Sequence, residues 1–235
     1  MKYLPIILFI FVSLWVTYLI LKHTKRVKTA SVCLVTGGVK TGKSSFAIAL
    51  ALREYKKRHF VWQVRKFFLG KKAGEEPLLY SNIPLIVPYV PVTTDILLRK
   101  VRINYKSVVY LGEFSLVADS QLIRNAELNE LMTEFFKLFG HETHGGKLIA
   151  DSQQICDCHY SLKRSLSEYF YIHHCRRIFW WLFFKVSEFR YSDDGSSILS
   201  DSDVEDNLKL VVFSSSVWKK FDCYCYSAFT DDLPI

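Results

Sequence analysis

The chain has 235 residues, of which 50% are apolar and 15% aromatic, with a formal net charge of +8. That composition excludes a linker, a tail or an acidic disordered adaptor. The length suits one α/β domain with a proper core and is too short for two.

The first predicted element is apolar. Residues 4–21 form a run of eighteen without a charge, about 27 Å long as a helix, against a hydrocarbon core of about 30 Å. This predicts a single-pass anchor and basic juxtamembrane segment over residues 1–28. A cleaved signal peptide is the competing reading, but Lys2 alone makes the n-region and no small-x-small site precedes Lys22. Lys22, Lys25, Arg26 and Lys28 place the N-terminus outside and the remainder, residues 29–235, in the cytoplasm.

The next stretch carries the chemistry. Residues 32–35 (Val-Cys-Leu-Val) read as a buried parallel strand, and residues 45–53 as a helix. Between them Gly37-Gly-Val-Lys-Thr-Gly-Lys-Ser44 fits G-x-x-x-x-G-K-[ST] at every defined position. A loop from a strand end to a helix N-terminus turns backbone N–H groups and the helix dipole toward phosphate oxygens. Glycines let the backbone close around them. The predicted nucleotide-binding residues are Gly37, Gly38, Val39, Lys40, Thr41, Gly42, Lys43, Ser44 and Ser45. Lys43 reaches the β- and γ-phosphates of ATP, and the Ser44 hydroxyl ligates Mg²⁺.

Charge is unevenly spread beyond this loop. Residues 40–72 hold ten Lys or Arg and one acid, Glu54, whereas 193–206 hold six acids and no base. The first stretch invites a polyanion, either nucleic acid or an anionic leaflet. The second reads as a solvated, flexible acidic loop. Residues 60–68 are apolar and basic by turns, 70–77 are a turn, and 78–80 a short strand. Residues 83–91 carry three prolines and must be extended, and Thr94 caps a helix through about Val101. Further strands are predicted at 107–111, 145–151, 178–184 and 208–213. Helices are predicted at 125–140 and around 160–169. Strand and helix alternating from such a loop predict a P-loop NTPase fold: α/β, with a mostly parallel sheet flanked by helices.

Two strand ends should complete the site. Residues 108–113 (Val-Val-Tyr-Leu-Gly-Glu) have the form of a Walker B strand, whose usual acidic pair holds the metal shell and polarises the attacking water. Gly112 occupies the first position and Glu113 the second. Glu113 is therefore the candidate base, and with Ser44 the candidate metal residue through bound water; Asp119 is a further carboxylate. Residues 148–154 (Leu-Ile-Ala-Asp-Ser-Gln-Gln) end another apolar strand. Gln153 is the candidate γ-phosphate sensor, with Asp151 and Gln154 close behind; helix capping by Asp151 or Ser152 is the ordinary alternative. Arg164 is the candidate arginine finger, offered across a subunit boundary, ahead of Arg176 and Arg177. A solvated place beside Lys163 is its alternative. The six cysteines include the pairs Cys156/Cys158 and Cys223/Cys225. These lack zinc-knuckle spacing, even with His141, His144 and His159 nearby, and read as reduced thiols.

Taken together, the P-loop, Leu79-Tyr-Ser-Asn-Ile-Pro-Leu85, the strand ending Glu113-Phe-Ser115, Asp151-Ser-Gln-Gln154 and Trp218-Lys-Lys-Phe-Asp-Cys-Tyr224 resemble the zonula occludens toxin-like family. The resemblance covers residues 30 to 226. It implies an assembly ATPase of filamentous bacteriophages in the host inner membrane, in contact with its lipid. It also implies a homo-oligomeric ring that works with phage coat and export proteins, and contact with single-stranded phage DNA. Two departures stand out: the apolar segment precedes the ATPase domain, and Gly112 replaces an acid. The rival readings are a DNA-translocating ATPase of the related pumping group, a small P-loop kinase and a membrane scaffold that does not hydrolyse ATP.

Overall fold

An unbroken apolar run opens the first strand, β1 (Val32–Gly37), and every one of its residues is buried. Val32 and Leu34 enter one core and Cys33 and Val35 the other. A strand covered on both faces belongs in the middle of a parallel sheet. The computed structural model describes residues 29–114, 126–155, 158, 160–190 and 208–221, with Phe11, Ser13, Trp15, Tyr18, Thr24 and Val27 ahead of them.

After β1 come α1 (Lys43–Leu69), β2 (Leu79–Ser81), β3 (Val90–Pro91), α2 (Thr94–Leu97) and β4 (Val108–Leu111). Then follow α3 (Ala126–Glu142), β5 (Lys147–Ser152), α4 (Tyr160–Ser165), β6 (Glu168–Ile178), β7 (Trp181–Arg190) and β8 (Leu208–Ser214). The sheet order is β3-β2-β4-β5-β1-β6-β7-β8. Pairing is parallel from β3 through β6 and antiparallel from β6 to β8. The mostly parallel α/β sheet expected from the sequence is present, and β5 lies between β1 and β4.

Each face has its own core. The first half of α1 covers one face through Phe46, Ile48 and Leu50, packed with Val35, Tyr110 and Phe184. Phe46 meets Phe170 and Phe184 edge to face, with centroids 5.7 and 5.2 Å apart. On the other face Phe135, Phe136 and Phe139 of α3 pack with Leu34, Val109 and Leu148. Burial of such side chains contributes about 1.5–3 kcal/mol each, so these layers fix where the ends of β1, β4 and β5 lie.

Four expectations are corrected. The helix predicted over 45–53 runs on to Leu69, because no Gly or Pro interrupts it before Gly70, whose N–H donates to the Lys66 carbonyl. The helix near Tyr160 stops at Ser165, and Glu168 already belongs to β6. The strand predicted over 178–184 is a hairpin: Phe179 and Trp180 form its tip, Phe179 at φ 53°, and only Leu182 and Phe184 turn inward.

The fourth correction concerns the anchor, and with it the inner-membrane location and topology. Among the described residues no helix is long and apolar enough to cross a membrane. The long helix α1 carries Arg53, Lys56, Lys57, Arg58, Arg65 and Lys66. Eighteen uncharged residues stand at the short limit for a span, and Val27, in the segment read as juxtamembrane, is buried in the core around α1. Most of residues 4–21 lie outside the described residues. So do Ser115, Asp119, Cys156, His159, Cys223, Cys225 and the acidic stretch 193–206.

Candidate active site

Backbone chemistry builds the loop at the carboxyl end of β1. Gly42 precedes α1 at φ 90°, and its carbonyl accepts the Phe46 N–H at 3.0 Å. A Cβ at Gly42 would lie 2.7 Å from Cys175 Cβ on β6, so the loop closes against that strand only with glycine there. The Thr41 hydroxyl donates to the Gly38 carbonyl at 2.8 Å, and Val39 at the crest is exposed. Beside Ser44, the Ser45 hydroxyl accepts the indole N–H of Trp218 at 3.0 Å.

The first turn of α1 points two side chains into the cleft. Lys43 is buried, and its ammonium is bonded to Glu113 Oε1 and lies 3.6 Å from Asp151 Oδ2. The Ser44 hydroxyl donates to Asp151 Oδ2 at 2.7 Å. Asp151 comes from β5, where it pairs in register with Val35 of β1. Its Oδ1 accepts the Tyr110 hydroxyl at 2.8 Å and the Glu113 N–H at 3.2 Å. Burial pushes the Asp151 carboxyl above its ordinary range; Lys43, the Ser44 hydroxyl and the Tyr110 hydroxyl pull it back. Burial likewise raises the Tyr110 phenol, and the Asp151 charge adds to this.

Glu113 follows β4 with φ 46°, a left-handed backbone that costs a non-glycine residue about 1–2 kcal/mol. Asn82 holds the strand end in place. Its amide donates to the Gly112 carbonyl at 2.9 Å and its carbonyl accepts the Gly112 N–H at 2.7 Å. This paired bond clamps the peptide just before Glu113, while the carboxylate remains partly exposed at 38%. A carboxylate so held faces solvent on one side and the P-loop lysine on the other. That is a position from which water can be polarised.

The structure thus gathers Lys43, Ser44, Glu113 and Asp151. It does not bring in Gln153, which is exposed just past the end of β5. Arg164 is exposed on α4, its guanidinium 5.7 Å from the Tyr160 ring. Arg176 donates to His174 at 2.9 Å, and Arg177 donates to the Phe179 carbonyl at 3.0 Å. Asn82 and Tyr110 were not anticipated as site residues. An acid missing at 112 and an extra acid ending the apolar run 148–150 is the sequence signal that points to Asp151.

Donors and charge together fit a magnesium-bound triphosphate. The set is one lysine, one helix-terminal hydroxyl, two carboxylates and a loop too tight for a Cβ at Gly42. Ser44 and Glu113 are the predicted metal residues, and both line this cluster.

The chain resembles the N-terminal domain of zonular occludens toxin. For the solved domain from Neisseria meningitidis the identity is 14% and the TM-score 0.48, over 83% of this chain and 100% of that one. A second similar structure is the genome packaging NTPase B204 of Sulfolobus turreted icosahedral virus 2 with ATP-gammaS. It has 12% identity and a TM-score of 0.38 over 77% and 96% of the two chains. A third is the flagellar accessory protein FlaH of Methanocaldococcus jannaschii, at 14% and 0.40 over 80% and 86%. No protein-family model and no curated protein matches the chain.

Far from the loop, a cleft of about 1330 Å³ opens at the amino ends of the parallel strands. Arg53, Lys57, Arg58, Arg65, Lys106 and Lys147 line it, with Glu54, Glu75 and Trp62. Burial lowers the Lys147 ammonium, and neighbouring Arg58 adds to this.

Proposed function

We propose that this chain is a P-loop ATPase, a single domain over residues 29–235 that hydrolyses ATP to drive assembly and extrusion of a filamentous phage. One observation carries the enzymatic half: Lys43 and Ser44 of the P-loop meet Glu113 and Asp151 from the ends of two neighbouring parallel strands. Backbone N–H groups of 37–44 bind the phosphates, and Lys43 exchanges Glu113 for the β- and γ-oxygens. Glu113, released, takes a proton from the attacking water. Ser44, with Glu113 through bound water, would hold Mg²⁺, which would neutralise phosphate charge. Ser45 extends the phosphate contacts at the start of α1. Gln153, exposed just past the end of β5, is kept as the γ-phosphate sensor only on the proposal that bound nucleotide draws it in.

The assembly half rests on the sequence likeness of 30–226 to the zonula occludens toxin-like family. Under it the subunits form a homo-oligomeric ring, with exposed Arg164 offered to a neighbour's nucleotide and phage coat and export proteins as partners. The basic cleft favours a second reading, a DNA-translocating ATPase, since its six cations outnumber Glu54 and Glu75 and suit a phosphate backbone. The deciding experiment is phosphate release by the full chain, with and without single-stranded and duplex DNA, beside the Lys43→Ala variant. We expect ATP-dependent turnover that Lys43→Ala abolishes. Turnover stimulated by duplex DNA would favour the translocase. Failure of the wild-type chain to bind and turn over ATP would refute the enzyme and leave a scaffold.

A further inference from the structure

The end of β4 lacks the first acid of a Walker B pair, and the structure gives a reason that position 112 holds none. A Cβ at Gly112 would lie 3.0 Å from the Tyr110 hydroxyl and 3.3 Å from Ile83 Cγ2. The Tyr110 hydroxyl is the atom that crowds a Cβ at 112 most closely. The Tyr110 ring is fully buried, and its hydroxyl is spent on Asp151 Oδ1. The group that shuts position 112 is therefore the group that props a carboxylate one strand nearer to the P-loop.

Asp151 is fully buried, and three donors converge on it: the Tyr110 and Ser44 hydroxyls and the Glu113 N–H. An ionised carboxylate is an acceptor only, and three donors are what it requires. The Lys43 ammonium 3.6 Å away supplies the counter-charge. Because the Ser44 hydroxyl gives its proton to Asp151, both lone pairs of that oxygen remain for a cation. A hard divalent cation with a triphosphate takes one or two carboxylates, oxygen donors and water. Ser44, Asp151 and partly exposed Glu113 match that set.

Accepting the P-loop reading on which this rests, we propose that Asp151, supplied by β5, takes the metal-side carboxylate role that Gly112 leaves open on β4, with Tyr110 as its positioning residue. Asp151 polarises the Ser44 hydroxyl toward the cation and accepts hydrogen bonds from the cation's water shell. The site keeps two carboxylates, but they come from two strands instead of adjacent positions on one. Glu113 is thereby left free for the water.

The test uses the full chain and Mn²⁺ as a spectroscopic probe. Binding of a fluorescent ATP analogue is measured with EDTA and with Mg²⁺, and Mn²⁺ affinity of the nucleotide complex by electron paramagnetic resonance. Asp151→Asn should bind metal-free nucleotide within about twofold of wild type, yet bind Mn²⁺ at least tenfold more weakly. Tyr110→Phe keeps the ring and removes only the prop, and should weaken Mn²⁺ about threefold or more. Placing the acid back on β4, as Gly112→Asp with Tyr110→Phe in the Asp151→Asn background, should recover part of the Mn²⁺ affinity. Wild-type Mn²⁺ affinity in Asp151→Asn overturns the assignment, as does unchanged affinity in Tyr110→Phe should Asp151→Asn fail to fold. A wild-type chain that binds no nucleotide overturns the P-loop reading itself, and this assignment with it.

Discussion

Glu113→Gln should separate binding from chemistry. In the structure the Lys43 ammonium is engaged by Glu113, and a phosphate-bound Lys43 has to leave it. Glu113 is 38% exposed, so solvent screens the pair and its contribution is about 0.2–1 kcal/mol. The substitution removes that competition while keeping side-chain size, and the clamp of Asn82 on Gly112 is untouched. ATP should therefore bind equally or more tightly, by up to about fivefold. Turnover should fall by about 10²–10⁴, the contribution of a positioned general base, or about 3–5 kcal/mol on the barrier. Titration calorimetry gives the affinity and phosphate release the rate, both on the full chain. Weaker ATP binding would refute the competition between carboxylate and phosphate. Turnover within threefold of wild type would refute the role of Glu113; if Asp119→Asn abolished it instead, the catalytic carboxylate would be that residue.

Gly42→Ala forces φ 90° on a residue with a Cβ and brings that atom to 2.7 Å from Cys175 Cβ. Strain of about 1–2 kcal/mol and overpacking of about 1–3 kcal/mol should lower thermal stability by at least 2 kcal/mol, with nucleotide binding lost. Cys175→Gly should return only the overpacking part, and full recovery would show that the φ value carries no cost. The raised Asp151 carboxyl makes a signed pH prediction. Its contribution to stability is present below the ordinary value of 3.8 and is lost as pH rises through the raised native value. Asp151→Asn cannot ionise, so without nucleotide its stability relative to wild type should rise from pH 4 to pH 7; a relative stability that falls over that range contradicts this. For the proposed ring, Lys43→Ala and Arg164→Ala chains, each inactive alone, should regain partial ATPase activity when mixed. No recovery rules out Arg164 as the residue offered in trans.

The parts of the fold legible in the sequence are those in which local chemistry carries the whole signal. Gly37 to Ser44 specify a phosphate loop because the backbone needs glycine and the ligand needs lysine and a hydroxyl. Strands β1, β4 and β5 were legible because burial on both faces leaves unbroken apolar runs. The second half of α1 was not, since beyond Glu54 it is held by polar contacts, Arg58 on the Lys106 carbonyl and His59 on Glu76, and not by a continuous apolar face. The Phe179–Trp180 turn carries none of the Gly, Asn or Asp that mark hairpins, so an aromatic run reads as strand. Read from the sequence as one strand, residues 151 and 153 share a side by the period of two, but β5 ends at Ser152 and leaves Gln153 beyond it. Which of them faces Lys43 depends on where β5 stops against β1, at Ser152 beside Thr36, and that register is tertiary information.

Helix α1 begins at the phosphate loop and does not end where its packing ends. Its 27 residues make a rod about 40 Å long, held past Glu54 by Arg58 on the Lys106 carbonyl and His59 on Glu76, and the last ten residues, about 15 Å, extend beyond His59. The buried turns act as a fulcrum against the sheet. A tilt of about 5° would swing the arm beyond His59 through about 1.3 Å, and one of about 10° through about 2.6 Å. At the end of that arm stand Phe67 and Phe68, 84% and 75% exposed, next to Lys66, Lys71 and Lys72. Under the proposed function the Lys43 end of this lever meets a phosphate, and the far end carries an aromatic, cationic tip. Spin labels on the arm and on β8, with their separation measured with and without ATP, give the stroke directly; an unchanged distance makes the arm a strut.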